Sequence, residues 1–231
     1  MIASIHLLEE QFAARPAAKA WFDTATADTG LASSSTFDDE RFLLVFSSAT
    51  RRLGKAAFAP SEAERERLRA QGIHWQVETW GLDELGRAVL LAHAFERLPP
   101  ARAAQLLENC YARADNRERQ AVLRALPFLP DRSRFVPLTV EACRTSVQSI
   151  FEAIACENPF PADEFSELAF NQLVLKAFFT GVAMSRIVGL ERRLNPELAR
   201  MAQDYAAERR AAGRSVPADI DAVTRPQRNG K

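Results

Sequence analysis

Three polar side chains lie inside one of the most apolar stretches of this chain. The stretch covers residues 157–179, ENPFPADEFSELAFNQLVLKAFF, and the three residues are Asn171, Gln172 and Lys176. On a helix, Gln172 and Lys176 are one turn apart and share a side, whereas Asn171 lies about 100° from Gln172. Two amides and an ammonium could bind a polar group on an otherwise apolar ligand, and an ammonium in a pocket could also act on a substrate.

The same side chains can equally be structural. A buried lysine needs a partner or a lowered pKa, and a buried amide without a partner costs about 1–3 kcal/mol. Asn171 and Gln172 could bond the proline-rich backbone of residues 157–163, and we favour this structural interpretation. Lys176 could pair with an acid, and the candidates are Glu152, Glu157 and Glu164. The candidate residues for a ligand or partner site are Asn171, Gln172, Lys176, Glu157 and Asn158, and we assign no catalytic residue.

No sequence motif indicates a nucleotide, a metal ion or an activated nucleophile. The nine glycines are scattered singly, without a phosphate-binding loop. His6, His74 and His93 are far apart in sequence, and none has a second ligand at i,i+4 spacing; His93 falls on the apolar face of its helix and is predicted to be a core residue. The three cysteines have apolar surroundings, which raise a thiol pKa. We therefore expect no cofactor and no metal.

Composition and charge restrict the class of protein. Hydrophobic residues make up 47% of the 231 residues and charged residues 26%, which is typical of a folded globular protein. Thirty basic residues balance thirty acidic ones, so the molecule has no long-range field that would attract nucleic acid. A helical nucleic-acid binder is the weakest alternative, because it requires a contiguous basic groove.

The chain is expected to be cytoplasmic. Its first residues, MIASIHLLEEQFAARP, lack the basic start of a signal peptide and carry two acids among the apolar residues. An odd number of cysteines, three, does not fit a secreted disulfide framework. No apolar run approaches the ~18 residues of a transmembrane segment.

Helical periodicity predicts an all-α protein, a bundle or array of about eight to ten helices. Residues 116–156 indicate a helix, a Pro-Asp turn and one long second helix, a layout that resembles a HEAT-type pair in the C-terminal half. The apolar helix that ends near Gly181 carries apolar residues in every direction, so we expect it to be central. The segment HWQVETW, residues 74–80, is predicted to be a connector held by Trp75 and Trp80.

Long stretches of the chain resemble EboA-domain proteins. They are ENPFPADEFSELAFNQLVLKAFFTGV, RIVGLERRLNPELARMAQDYAAERRAAGRSVPADI and, before them, RQAVLRALPFLPDRSRFVPLTVEACRTSVQSIFEAIA. The resemblance is strong over about residues 115–220 and looser before them. It implies a bacterial ebo gene cluster, with a UbiA-like prenyltransferase, a metal-dependent hydrolase and an isomerase-like barrel as neighbours. Such clusters are associated with making or exporting secondary metabolites, notably a scytonemin precursor.

Together these observations predict a non-catalytic scaffold or accessory protein that binds other ebo-cluster proteins or a small hydrophobic metabolite. The alternative is an enzyme that acts on a secondary-metabolite intermediate through the polar cluster around Lys176. We predict a single all-α domain over residues 1–213, best matched over 115–213, and a polar C-terminal tail over 214–231.

Overall fold

The computed structural model describes residues 2–32 and 37–224, which fall into two compact units divided between Arg134 and Phe135. The all-α class is confirmed: these residues form fourteen α-helices and no strand. The helices outnumber the eight to ten predicted, partly because three of them have only four or five residues. The single domain over residues 1–213 and the HEAT-like pairing stay predictions.

The first unit contains seven α-helices and a short 3₁₀ turn. The helices are α1 (Ile2–Ala13), α2 (Pro16–Thr29), α3 (Asp39–Leu53), α4 (Glu62–Ala70), α5 (Leu82–Arg97), α6 (Pro100–Arg113) and α7 (Asn116–Ala125), and the 3₁₀ turn is Leu126–Phe128. Local sequence sets several boundaries. A capping box of Ser61 and Glu64 starts α4, and Asp38 caps α3 by accepting a hydrogen bond from the Arg41 N–H.

Helix α5 is the centre of the first unit. It contacts α1, α2, α3, α6 and α7, and every residue from Asp83 to Ala92 is buried. A helix surrounded on all sides is expected to be apolar throughout, yet α5 buries three charged side chains, Asp83, Glu84 and Arg87. These charges therefore need partners within the unit.

The connector predicted at residues 74–80 is confirmed. Neither this segment nor any other in the described part of the chain forms a strand; an isolated antiparallel bridge joins Ala57 and Gly81. Trp75 and Trp80 both pack on Phe128, with ring centroids 5.6 and 5.8 Å away. The two indoles thus attach the connector to the turn that follows α7.

The second unit contains the remaining helices. They are α8 (Val136–Cys143), α9 (Gln148–Ala155), α10 (Phe160–Glu164), α11 (Glu167–Thr180), α12 (Leu190–Arg193), α13 (Pro196–Ala211) and α14 (Asp221–Thr224), with a 3₁₀ turn at Met184–Arg186. A further 3₁₀ turn, Arg132–Phe135, crosses the boundary between the units. Local sequence also sets the start of α13: Asn195 caps the helix by accepting from the Leu198 N–H, and Pro196 is its first residue.

The long second helix predicted within residues 116–156 is wrong, because the chain turns between α8 and α9. The hydroxyl of Thr145 accepts a hydrogen bond from the Val147 N–H, 3.1 Å away, in place of a helical carbonyl. Threonine and serine side chains compete with helix hydrogen bonds in this way. The apolar stripe is continuous in sequence, so periodicity alone did not reveal the turn.

The central position predicted for the apolar helix is also wrong. Helix α11 begins after Ser166, which caps it by accepting from the Ala169 N–H, and ends at Gly181 as predicted. Leu168 is 63% exposed and Phe179 66% exposed, so this helix leaves apolar side chains in solvent. Among the described helices, α5 has the longest uninterrupted buried run, from Asp83 to Ala92.

Part of the predicted polar tail is packed. Ile220 and Val223 are buried, and α14 contacts α13. Residues 225–231 lie outside the described residues. Within residues 2–32 and 37–224, none of the helices combines the length and apolar character that crossing a bilayer requires.

Candidate functional site

Lys176 holds the turn between α8 and α9. Its ammonium donates to two backbone carbonyls, those of Cys143 and Thr145, each 2.5 Å from Nζ, and it lies 4.8 Å from the centroid of the Phe151 ring. A lysine at the C-terminal end of a helix satisfies carbonyls that have no helical partner and interacts favourably with the helix dipole. Burial lowers the pKa of Lys176.

The carboxylate partners predicted for Lys176 are wrong. Glu152 and Glu157 instead bind Arg186, and the contacts of Lys176 are carbonyls and an aromatic face. An ammonium satisfied by carbonyls keeps its positive charge without a neutralising carboxylate. The side chain of Lys176 therefore makes the electrostatic potential of its immediate surroundings more positive.

Gln172 and Lys176 line one pocket, as their shared helix face predicted. The pocket has a volume of about 250 Å³, just below the ~300–1,000 Å³ typical of ligand pockets. Its lining is mainly apolar and comes from α8, α10, α11 and the residues next to them: Val140, Cys143, Arg144, Phe165, Ala169, Gln172, Leu173 and Lys176. Gln172 and Arg144 are exposed, so polar groups stand at the mouth of an apolar hollow.

Asn171 lies apart from this pocket and is structural. It is 1% exposed, and its amide pairs with that of Asn195: the Asn195 Nδ2 donates to the Asn171 Oδ1 at 3.0 Å, and the Asn171 Nδ2 donates to the Asn195 Oδ1 at 3.3 Å. Its partner is the capping residue of α13 and not the proline-rich backbone that we predicted. Asn171 thus positions the start of α13 against α11.

Glu157 is held by Arg186. The guanidinium binds the carboxylate with two parallel hydrogen bonds, Nε to Oε1 at 2.7 Å and Nη2 to Oε2 at 2.9 Å, and its Nη1 reaches Glu152 at 2.8 Å. The backbone N–H of Glu157 also donates to the Arg186 carbonyl. The hydrogen bond to Glu157 raises the pKa of Arg186. Glu157 thereby attaches the turn after α9 to the 3₁₀ turn at 184–186.

Asn158 forms the corner after α9. Its Nδ2 donates to the carbonyl of Ala153 and its Oδ1 accepts from the Phe160 N–H, both at 3.0 Å, while the side chain is 2% exposed. Asparagine commonly replaces missing backbone hydrogen bonds in this way at a turn. Of the five candidates, the structure brings Gln172 and Lys176 together at a pocket and places Asn171, Glu157 and Asn158 in separate structural contacts.

A second hollow, of about 480 Å³, lies between α2 and α3 in the first unit. Its floor consists of small and apolar side chains, among them Ala20, Trp21 and Val45. At its rim, the exposed Arg41 and Asp28 form an ion pair at 2.5 Å. Its charged side chains, Asp28, Arg41 and Arg52, are all exposed, so none of them converges on the interior.

A buried network of charges, which the sequence did not predict, surrounds α5. Asp83 accepts from Arg117 at both oxygens, at 2.5 and 2.6 Å, from Arg87 at 3.2 Å and from the Thr50 hydroxyl at 2.7 Å. Glu84 accepts from Arg124 at 2.6 Å and from the Gly81 N–H at 2.7 Å. Since every charge has a partner, the network joins α3, α5 and α7 structurally.

A second cluster of titratable side chains, also not predicted from the sequence, joins α1 and α5. His6 and Glu9 lie on α1, and His93 and Glu96 lie on α5. The His6 Nδ1 lies 3.1 Å and the His93 Nε2 2.9 Å from the same oxygen, Glu9 Oε2, while the His6 Nε2 lies 2.8 Å from Glu96 Oε1. His93, predicted to be a core residue, is 26% exposed. The spacing HxxE occurs on both helices, and this repeated motif was the available sequence signal.

The carboxylates of this cluster favour the protonated form of His6. Burial alone lowers the pKa of His6, but hydrogen bonds to Glu9 and Glu96 together with their charges outweigh it, and the pKa is raised. Burial would raise the pKa of Glu9, whereas the contacts with His93 and His6 lower it. The thiols behave as the sequence predicted, since burial raises the pKa of Cys110 and Cys143 to about 12.

A sequence model of one protein family matches residues 5–224, and its description is "Metabolite traffic protein EboA". This chain belongs to the EboA family. The EboA resemblance drawn from the sequence is thereby confirmed, and the match extends through the N-terminal part, where the resemblance was looser. Comparison with curated proteins and with solved structures returned no match.

Proposed function

We propose that this EboA-family chain is a non-catalytic accessory protein of an ebo-type secondary-metabolite pathway. In this proposal it binds a small, largely apolar metabolite in the pocket between α8 and α11, with or without other proteins of the cluster as partners. The family description, which concerns metabolite traffic, supports the general role.

The observation that carries the proposal is the composition of the pocket. Val140, Phe165 and Leu173 supply an apolar wall, while Gln172 and Lys176 lie one turn apart on a single helix face. Such a site binds an apolar body through burial and orients it through a few polar contacts. Lys176 favours a ligand whose polar group is an acceptor or an anion, while Arg144 at the mouth is already paired with Glu141 at 3.1 Å. The volume suits one ring system.

The enzymatic alternative through Lys176 has less support. A lysine that acts as a base or nucleophile must release a proton, and its amine must be available to the substrate. Here the ammonium donates to the carbonyls of Cys143 and Thr145, which occupies two of its three N–H donors and fixes its position. The same contacts hold the ammonium of Lys176 in place as a positive charge beside the pocket.

A fluorescent probe tests the site directly. Anilinonaphthalene sulfonate, which is apolar and anionic, is titrated into the full chain, and extracts of the producing cells are then used to displace it. We expect Ala169→Phe, which fills the pocket, to weaken probe binding at least tenfold. Ala199→Phe, at a similarly half-buried position on α13, is the matched control and should bind as the wild type does.

Two outcomes would count against this pocket. Equal binding by Ala169→Phe and Ala199→Phe would exclude it as the probe site. Loss of binding in Ala20→Phe alone would move the site to the hollow between α2 and α3. The pathway role is tested in a deletion strain: complementation with Ala169→Phe should leave the metabolite inside the cell, and complementation with Ala199→Phe should restore export.

A further inference from the structure

The two HxxE motifs lie on one shared face of α1 and α5. Residues three apart on a helix are neighbours, so each motif presents a histidine and a carboxylate side by side. The contacts also cross between the helices, from His6 to Glu96 and from His93 to Glu9. Four potential metal ligands that are up to 90 positions apart in sequence therefore meet at one place.

The donor atoms have the separation that one metal ion requires. One ligand atom from each of His6, Glu9 and His93 lies within 4.8 Å of the others. Zinc binds nitrogen and oxygen at about 2.0–2.2 Å in a tetrahedral arrangement, so two ligands of one ion lie roughly 3.3–3.6 Å apart. Glu9 Oε2 is already close to this separation, at 3.1 Å from the His6 Nδ1 and 2.9 Å from the His93 Nε2, and side-chain rotation would bring the two imidazole nitrogens to it as well.

We propose that His6, Glu9 and His93 form a binding site for one divalent transition-metal cation of the zinc type. Two imidazole nitrogens and a carboxylate oxygen are ligands that suit zinc and its first-row neighbours better than calcium or magnesium. The ion takes the place of the protons that now join the His6 Nδ1 and the His93 Nε2 to Glu9. The site is independent of the ligand pocket proposed above.

Glu96 is the positioning residue of this site. A metal-bound histidine usually donates its other ring N–H to a carboxylate, which fixes the tautomer and the ring orientation. Glu96 lies 2.8 Å from the His6 Nε2, so it can accept that N–H and direct the lone pair of Nδ1 at the metal. The side chains are 22–45% exposed, which gives the ion a route in and leaves room for a water molecule as a fourth ligand.

Metal titration tests the proposal. The tag-free full chain is stripped with a chelator and titrated with Zn²⁺ by calorimetry and with Co²⁺ by visible absorption. We expect one ion per chain, and at least a hundredfold loss of affinity in His93→Gln and in Glu9→Gln. Glu96→Gln should weaken binding about 10- to 100-fold. His74→Gln is the matched control, because His74 is exposed and lies outside the cluster, and it should bind as the wild type does.

Two measurements need only the wild-type chain, in case the variants fold poorly. Zn²⁺ should raise the thermal midpoint reversibly, since an ion that binds only the folded state stabilises it. X-ray absorption at the zinc edge should show nitrogen and oxygen neighbours alone. A sulfur ligand, absence of binding at 100 µM Zn²⁺, or full binding by folded His93→Gln would overturn the proposal and leave the cluster as a hydrogen-bonded link between α1 and α5.

Discussion

Asn171 and Asn195 exchange hydrogen bonds between their side-chain amides, across the junction of α11 and α13. Asn195 also uses its Oδ1 to cap α13. Replacing Asn171 with leucine removes both amide contacts and leaves polar atoms of Asn195 facing an apolar side chain. We expect the free energy of unfolding, measured with urea, to fall by about 1–3 kcal/mol.

The neighbouring residue gives the control for this substitution. Gln172 is exposed at the mouth of the pocket, and Gln172→Leu should change stability by no more than about 0.5 kcal/mol. Equal losses from Asn171→Leu and Gln172→Leu would show that the amide pair does not contribute as described. A double-mutant cycle with Asn195→Ala then gives the coupling energy of the pair.

Arg87 should be among the least replaceable side chains in the first unit. It is 1% exposed and donates to Asp83, to the Phe46 carbonyl and to the Thr50 hydroxyl. Removing one partner from a buried network leaves the other charge poorly compensated, which typically costs about 3–5 kcal/mol. Arg87→Met should therefore lower the free energy of unfolding by that amount in a denaturant titration.

An exposed arginine pair provides the comparison. Arg113 binds Glu40 at 3.0 Å, and both side chains are more than half exposed. Arg113→Met makes the same chemical change in the same unit, and exposed pairs contribute about 0–1 kcal/mol. Similar losses of unfolding free energy in Arg87→Met and Arg113→Met would show that burial of the network does not increase the contribution of Arg87 to stability.

The contribution of Asp83 should disappear in acid. Burial alone raises its pKa, but hydrogen bonds from Arg117 and Thr50 outweigh burial and hold the pKa below the ordinary value of 3.8. A carboxyl with a lowered folded pKa stabilises the protein above its unfolded pKa and loses this contribution as the pH falls through the folded value. The stability difference between wild type and Asp83→Asn should be constant above about pH 5 and shrink below 3.8. A difference that grows in acid would contradict this assignment.

The all-α class and several helix ends could be predicted because they depend on local chemistry. The capping box at Ser61 and the Asn195-Pro196 start of α13 need only neighbouring residues, and both are observed. The environment of a whole helix depends instead on what packs around it. Helix α11 has apolar residues on every side and still exposes Phe179, whereas α5 carries three charges and is enclosed.

The candidate site could be predicted only in part, because helix geometry tells which side chains share a face but does not identify their distant partners. That Gln172 and Lys176 share a face follows from helical geometry, and they do line one pocket. The partners of Lys176 and Asn171 come from residues 24 to 33 positions away, so no local pattern could name them. His6 and His93 are 87 positions apart, and only the packing of α1 on α5 brings them together.

Lys176→Met should destabilise the second unit without changing its helical class. The substitution removes two hydrogen bonds to the carbonyls of Cys143 and Thr145, and these carbonyls sit where α8 ends. We expect a loss of about 1–3 kcal/mol in denaturant unfolding. Lys176→Arg keeps donors and charge at this place and should recover most of the loss. A failure of arginine to do better than methionine would argue against the capping role.

The side chain of Glu157 stabilises the fold by binding Arg186, whereas its backbone conformation is unfavourable. Its φ is 48°, in the left-handed region that disfavours residues with a Cβ atom by about 1–2 kcal/mol, and its carboxylate binds Arg186. Glu157→Ala loses the ion pair and keeps the strain, whereas Glu157→Gly loses the ion pair and relieves the strain. Glycine should therefore be the more stable variant by about 1 kcal/mol in thermal or urea unfolding. Equal stabilities would show that the backbone is not strained at this position.

The capping of α8 by a lysine on α11 has a consequence for the order of folding. Lys176 lies 31 and 33 positions after the two carbonyls that it binds. During synthesis, residues 136–155 emerge from the ribosome ahead of α11, and at that stage the contact of Thr145 with Val147 is the local feature that marks the turn. The carbonyls of Cys143 and Thr145 are capped once α11 has formed and docked, so the hydrogen bonds of the earlier segment are completed by the later one.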